Sequence, residues 1–241
     1  MFNIIVCKNY DEVSEQAFKL MKDIMRKEKP VLGLATGSSP VGLYKLMIQD
    51  HKENGTSYQN ALTFNLDEYV GLRHTDEQSY YYFMHENLFD GIDCPEENIH
   101  VPDGSTNDPE KAAADYETEL AKHTVDLQVL GIGSDGHIAF NEPGTPLDSV
   151  THVTDLKEQT ISDNARFFGG DKSKVPTKAI TQGLASIMRA RKIVLIATGA
   201  NKADAVYGMI KGEVTTDCPA SILQRHDDVT VVLDEAAAKR L

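Results

Sequence analysis

The sequence predicts a single α/β domain over residues 1–241, with a mostly parallel sheet covered by helices on both faces. Three observations lead there. Short β-branched apolar runs recur along the chain, and amphipathic stretches of helical period lie between them. The apolar runs are continuous rather than alternating, as in strands buried on both faces. Three of the runs lead straight into loops rich in glycine, hydroxyl or acidic residues, the places where open α/β sheets bind ligands.

In chain order, Asn3–Val6 reads as the first strand, and a helix from Asp11 to Lys29 follows. It carries Val13, Ala17, Leu20, Met21, Ile24 and Met25 on one face and is stopped by Pro30. Residues 31–36 are a second strand. A helix starting at Pro40 or Val41 comes next, with Leu43, Tyr44, Met47 and Ile48 on one side. Further strands are expected at 61–66, 125–131, 192–198 and 229–233, and further helices around 109–122, 177–189 and 202–211. There is no internal repeat, low-complexity tract or long linker.

Composition narrows the function classes. The chain is 41% hydrophobic and 25% charged, with a net charge of −13 and no basic stripe, which speaks against nucleic acid and anionic membranes as partners. No apolar run approaches the ~20 residues of a membrane helix, and residues 1–7 do not form the apolar region of a signal peptide. Cys7, Cys94 and Cys218 are few, odd in number and widely spaced, so neither a disulfide framework nor a zinc site is expected. The expectation is a cytoplasmic protein with a small-molecule ligand, monomeric or a small homo-oligomer.

The loop Thr36-Gly37-Ser38-Ser39-Pro40 joins a strand to a helix start. Gly37 permits close approach, the serines offer hydroxyls, and the helix terminus favours an anion. Ser39 would equally suit an N-cap before Pro40. A similar turn, Thr198-Gly199-Ala-Asn-Lys202, puts a lysine in a first helical turn. There it opposes the helix dipole unless an anion lies between, although a solvated surface lysine is the commoner arrangement. Arg166, within Asn164-Ala-Arg-Phe-Phe168, is flanked by aromatics and suits either a phosphate clamp or a surface ion pair. Neither a Walker loop nor a GxGxxG fingerprint is present.

The third strand ends in Asp67-Glu68. Adjacent side chains there point in opposite directions, so one of the two can face a cleft as a general base; a capping or turn aspartate is the alternative. The densest signal is Gly131-Ile-Gly-Ser-Asp135-Gly-His137-Ile-Ala-Phe-Asn-Glu142-Pro-Gly144, a glycine-rich turn with an imidazole between two carboxylates. That grouping suits proton transfer. Its spacing matches no EF-hand-like loop, and no GxSxG elbow exists for a nucleophilic serine. Residues 142–160 are expected to be a loop-rich lid.

Together the stretches LGLATGSSP, FNLDEYVGL, SYYYFMH from Ser79, GIGSDGHIAFNEPG, NARFF and VPTKAIT resemble the glucosamine-6-phosphate deaminase family, in order and over nearly the whole chain. The resemblance implies a Rossmann-like three-layer domain and a conversion of glucosamine 6-phosphate and water to fructose 6-phosphate and ammonia that uses no metal or cofactor. His137, supported by Asp135 and Glu142, would assist ring opening, and Asp67 would shuttle a proton between C2 and C1. Gly37, Ser38, Ser39, Arg166 and Lys202 would contact the phosphate. The chain departs from the family in Ser38-Ser39, where Gly-Thr is common. It departs again at His152 and Thr154, where longer members carry basic residues of an allosteric site. An enzyme without allosteric activation is therefore expected. Two other readings are a 6-phosphogluconolactonase-like hydrolase, which has no use for a carbon-proton base, and a sugar-phosphate sensor domain, which would be expected beside a helix-turn-helix segment.

Overall fold

The computed structural model describes residues 2–241. The elements are β1 (Asn3–Cys7), α1 (Tyr10–Ile24), β2 (Val31–Leu34), α2 (Val41–Asn54), β3 (Leu62–Asn65), β4 (Asp67–Tyr69), α3 (Tyr80–Asn87), β5 (Ile99–His100) and α4 (Pro109–Leu120). There follow β6 (Leu127–Leu130), β7 (His152–Asp155), α5 (Glu158–Asn164), β8 (Lys178–Thr181), α6 (Leu184–Ile187), β9 (Ile193–Ala197), α7 (Ala203–Lys211) and β10 (Val229–Asp234).

Seven strands form one sheet in the order β1-β10-β9-β6-β2-β3-β5, every neighbouring pair parallel. Its central strands β6 and β9 are buried at every position, the two-sided burial that their continuous apolar runs predict. The core continues into the helices through Val13, Ala17 and Met21 of α1, Leu43 and Met47 of α2, and Val206 and Met209 of α7. The mostly parallel α/β architecture expected from the sequence is therefore present. Among the described residues no helix is long and apolar enough to cross a membrane.

Two expectations fail. Residues 177–189 are not one helix. Lys178–Thr181 is a strand, and only Leu184–Ile187 is helical. The β-branched Ile180 and Thr181 have partners on both sides, since β8 pairs antiparallel with β4 and with β7; tertiary pairing overrides local helical spacing. The first helix stops at Ile24, capped by Met25, five residues before Lys29. Residues 26–29 offer no apolar face, and Lys27 turns aside to pair with the buried Asp126.

The three-stranded sheet β4-β8-β7 is the part that periodicity did not reveal. It starts at the end of β3. Leu66 donates its N–H to Leu34 O in the large sheet (3.1 Å) and accepts from Gln182 N beside the small one (2.7 Å). Asp67, the next residue, is thus fixed where one sheet gives way to the other. A second small core of Tyr69, Phe140, Leu156, Ala165, Phe168, Val175 and Ala179 joins this sheet to α5. Residues 142–160, expected to be loop-rich, contain all of β7 and the start of α5.

Candidate active site

Chain direction across the large sheet reverses between β2 and β6. From β2 the chain moves outward through β3 and β5, and from β6 it moves the other way through β9 and β10. The crevice beyond the carboxyl ends of two such strands is the binding position of an open α/β sheet. The loop after β2 holds Gly37, Ser38 and Ser39, and the loop after β6 holds Asp135 and His137. The two loops run close together: a Cβ added to Gly131 would lie 3.7 Å from Ser39 Oγ.

The β6 loop is folded around an imidazole. His137 Nδ1 lies 2.7 Å from Asp135 Oδ1 and 3.8 Å from Glu142 Oε2, and the His137 amide donates to Asp135 Oδ1 at 3.2 Å. The Asp135 contact lacks hydrogen-bond direction and the Glu142 contact is too long for a hydrogen bond, so Nδ1 and Glu142 Oε2 are both buried without a partner. The ring lies against the backbone of Gly133, where a Cβ would come within 2.3 Å of it, so that position needs glycine. Ala139 is held at φ 53°, a left-handed conformation rare outside glycine. Hydrogen bonds on either side hold it there: Phe140 N donates to Thr181 Oγ1, and Asn141 Nδ2 to Ile138 O and Gln182 O.

Burial works to raise the Asp135 pKa, but the adjacent imidazole overrides it and holds the carboxyl down at about 2. Glu142 is 5% exposed, and its other oxygen, Oε1, accepts from the Thr160 hydroxyl and from Lys157 N at 3.4 Å. One ligand atom each from Asp135, His137 and Glu142 lie within 4.8 Å of one another, close enough to share a divalent ion. Equally, they bracket the protonated edge of an imidazole.

Asp67 sits in different surroundings. It is 6% exposed, and burial and then the Glu68 charge push its pKa up to about 8, with no hydrogen bond to offset them. Glu68 points the other way, as the alternation of adjacent side chains requires. Its carboxylate accepts N–H bonds from Tyr69 (2.8 Å), Tyr80 (2.9 Å) and Tyr81 (2.9 Å), the last two in the first turn of α3.

At the other end of the crevice Gly37 has φ 88°. Ser38 is exposed and Ser39 half-buried. The α2 N-cap is Pro40 with no side-chain hydrogen bond, so the Ser39 hydroxyl is not spent as a cap. The Tyr10 hydroxyl donates to Ser38 O at 2.9 Å and accepts from Gly42 N at 2.7 Å, which fixes the loop on the helix start. Beside it, Tyr10, Ser38, Val41, Thr198, Gly199 and Asp234 line a cavity of about 490 Å³. Lys202 precedes α7 directly as its N-cap. Its pKa is lowered by burial and by the Arg166 charge, against Asp163 and Asp135, so charges from the β6 loop and the α5 region meet here. Arg166 is exposed and lies over the Phe167 ring at 4.7 Å.

Of the nine residues singled out in the sequence, Gly37, Ser38, Ser39, Asp135, His137 and Glu142 lie in the loops after β2 and β6, Asp67 opens β4, and Arg166 and Lys202 lie in short helical turns after α5 and before α7. Sequence reasoning missed Thr160 and Lys157, which hold Glu142, and the docking of Glu68 on α3. It also missed the Tyr69 hydroxyl, which accepts from Asn164 Nδ2 at 2.8 Å and ties the segment carrying Arg166 to β4. Helical or strand periodicity signals none of these, because each bridges elements remote in sequence.

Residues 9–232 match the family model described as glucosamine-6-phosphate isomerases/6-phosphogluconolactonase. The chain belongs to that family. Within its reach, the glucosamine-6-phosphate deaminase of Streptococcus thermophilus is 52% identical over 98% of this chain and 99% of its own length. That of Enterococcus faecalis is 50% identical, with 99% of each chain covered. A solved monomeric glucosamine-6-phosphate deaminase superposes with a TM-score of 0.97 at 40% identity, over 100% of both chains. The 6-phosphogluconolactonase of Trypanosoma brucei superposes with a TM-score of 0.81 at 23% identity, a likeness of fold alone.

Proposed function

We propose that this chain is a glucosamine-6-phosphate deaminase of amino-sugar catabolism, converting glucosamine 6-phosphate and water to fructose 6-phosphate and ammonia, with Asp67 as the carbon-proton base. The observation that carries the assignment of roles is Asp67 itself, a buried carboxylate without a hydrogen bond at the rim of the crevice. Such a group is a strong base once ionised, and the family's reaction needs one.

Substrate phosphate is held by the hydroxyls and N–H groups of Gly37, Ser38 and Ser39 and by the charges of Arg166 and Lys202. These supply the local positive field that a chain of net charge −13 needs. Fixing the phosphate orients the reacting carbons. His137 carries a proton on Nδ1, the nitrogen facing Asp135 and Glu142, which leaves Nε2 to move the proton between the anomeric hydroxyl and the ring oxygen as the pyranose opens. Asp67 then takes the proton from C2 and returns it to C1, while the C1 oxygen gains a proton and the amine nitrogen gives one up. The amine-bearing carbon becomes a ketimine, which takes up water and releases ammonia. The sequence is redox-neutral and is complete with these side chains, consistent with an enzyme that uses no cofactor.

The reading treats residues 1–241 as one catalytic domain in the cytoplasm, monomeric or a small homo-oligomer. The monomeric state of the 40%-identical relative supports the lower end of that range. It also gives the chain no allosteric activation: hyperbolic kinetics unchanged by N-acetylglucosamine 6-phosphate are expected, and sigmoidal kinetics abolished by that sugar would contradict it. Ammonia release from glucosamine 6-phosphate tests the whole assignment. Hydrolysis of 6-phosphogluconolactone without ammonia release would overturn it in favour of the lactonase chemistry.

A further inference from the structure

We infer that Glu68 is a positioning residue for the proton transfer: its fully buried carboxylate, fixed by three backbone N–H donors, holds a negative charge beside Asp67 and keeps that aspartate a strong base. The inference rests on the reading of Asp67 as the base.

Glu68 is 0% exposed, an unusual site for a carboxylate with no cationic partner. Its three donors come from two elements. Tyr69 N belongs to its own strand, whereas Tyr80 N and Tyr81 N are free first-turn groups of α3. The carboxylate therefore fastens β4 to a helix N-terminus, whose dipole also favours the charge. Were the role only to satisfy those N–H groups, a neutral acceptor would do it without the cost of a buried ion.

What a charge adds is its effect on Asp67. The other groups acting on that aspartate are the phenols of Tyr69 on β4, Tyr80 on α3 and Tyr116 on α4, each held above its ordinary pKa by burial and so neutral. From β8 the residue opposite Asp67 is Thr181, which does not titrate. Burial pushes the Glu68 pKa up to about 7 against its three N–H donors, with a further push from the Asp103 charge, which leaves it below that of Asp67. The nearest fixed charge is thus Glu68. Two adjacent carboxylates ionise in sequence, and the one supplied with three N–H donors goes first. Asp67 is left with the higher step and with the stronger affinity for a proton taken from carbon.

The test is the pH dependence of kcat/KM for glucosamine 6-phosphate in the wild type, Glu68→Gln, Glu68→Asp and Asp67→Asn. Glu68→Gln is expected to move the acid limb down by about one pH unit and to lower the plateau, while Glu68→Asp restores the limb. A uniform loss in Glu68→Gln with the limb unmoved would mean that Glu68 only fastens α3, and would overturn the inference while Asp67→Asn stays inactive. Ammonia release by Asp67→Asn at the wild-type rate would instead remove the base reading, and this inference with it. A second measurement needs no variant of Glu68. In the wild type, a carboxyl 13C titration of Asp67 is expected to show two inflections, one of them from Glu68, and a single inflection would overturn the inference.

Discussion

Asp67 and Asp135 follow strands that flank β2 on opposite sides, yet their surroundings push them in opposite directions. Asp135 has an imidazole at 2.7 Å and is held down at about 2, so it is ionised at any working pH. Asp67 has no cation and no donor; burial and a like-charged neighbour push it up to about 8. A permanently ionised carboxylate cannot take a proton from carbon, but it can orient and polarise a histidine. A carboxylate poised near neutrality can do the transfer. Environments that separate the pKa values of two like groups assign their duties, and here the difference comes from what each loop packs against.

The largest expected effect breaks the comparison on the Asp67 side. Asp67→Asn should lower kcat for ammonia release by about 10²–10⁴-fold, the contribution typical of a positioned base. His137→Gln comes next, by about 10–10²-fold, because spontaneous ring opening bypasses the step it assists. An equal or larger loss than Asp67→Asn would reverse the order of importance of the two regions. Arg166→Ala should act mainly on KM, raising it by about 10-fold, as expected for one charged hydrogen bond to phosphate. A change confined to kcat would take Arg166 out of substrate binding.

The smallest expected effects are on stability, and they have opposite signs. The pKa of Asp67 is raised on folding from 3.8 to about 8, so its stabilising contribution is present below about pH 4 and is lost as pH rises towards 8. Asp67→Asn should therefore be more stable than the wild type at pH 8, by about 0.5–2 kcal/mol, with the gain vanishing near pH 4. The Asp135 pKa is depressed from 3.8 to about 2, so it stabilises above about pH 4 and loses that contribution as pH falls through 2. Asp135→Asn should be less stable at pH 7 by about 1 kcal/mol. Thermal melts at pH 4, 7 and 8 check both signs, and matching signs would undo the contrast.

The same two regions mark how far the sequence could be read. The Asp135–His137–Glu142 group is contiguous, so glycines, imidazole and carboxylates were visible together in one loop after one strand. The large parallel sheet was legible for a similar reason, since each of its main strands carries its own apolar run. The setting of Asp67 was not. It depends on β8, whose Ile180 and Thr181 read locally as part of a helix until pairing with β4 and β7 is known. Likewise the sequence leaves Glu68 only as the carboxylate adjacent to Asp67 until α3, which begins 12 residues on, brings its first-turn N–H groups to it. Thr160 and Glu142 are 18 residues apart, and only the packing of α5 on the β6 loop joins them.

The contrast between the two aspartates is measured most directly by carboxyl 13C titration of the labelled protein, with each signal assigned by its loss in Asp67→Asn or Asp135→Asn. The larger of the two inflections of the Asp67 signal should lie near pH 8, while the Asp135 signal should stay that of an ionised carboxylate down to about pH 2. Both signals titrating together near the ordinary aspartate value of about 4 would contradict the account.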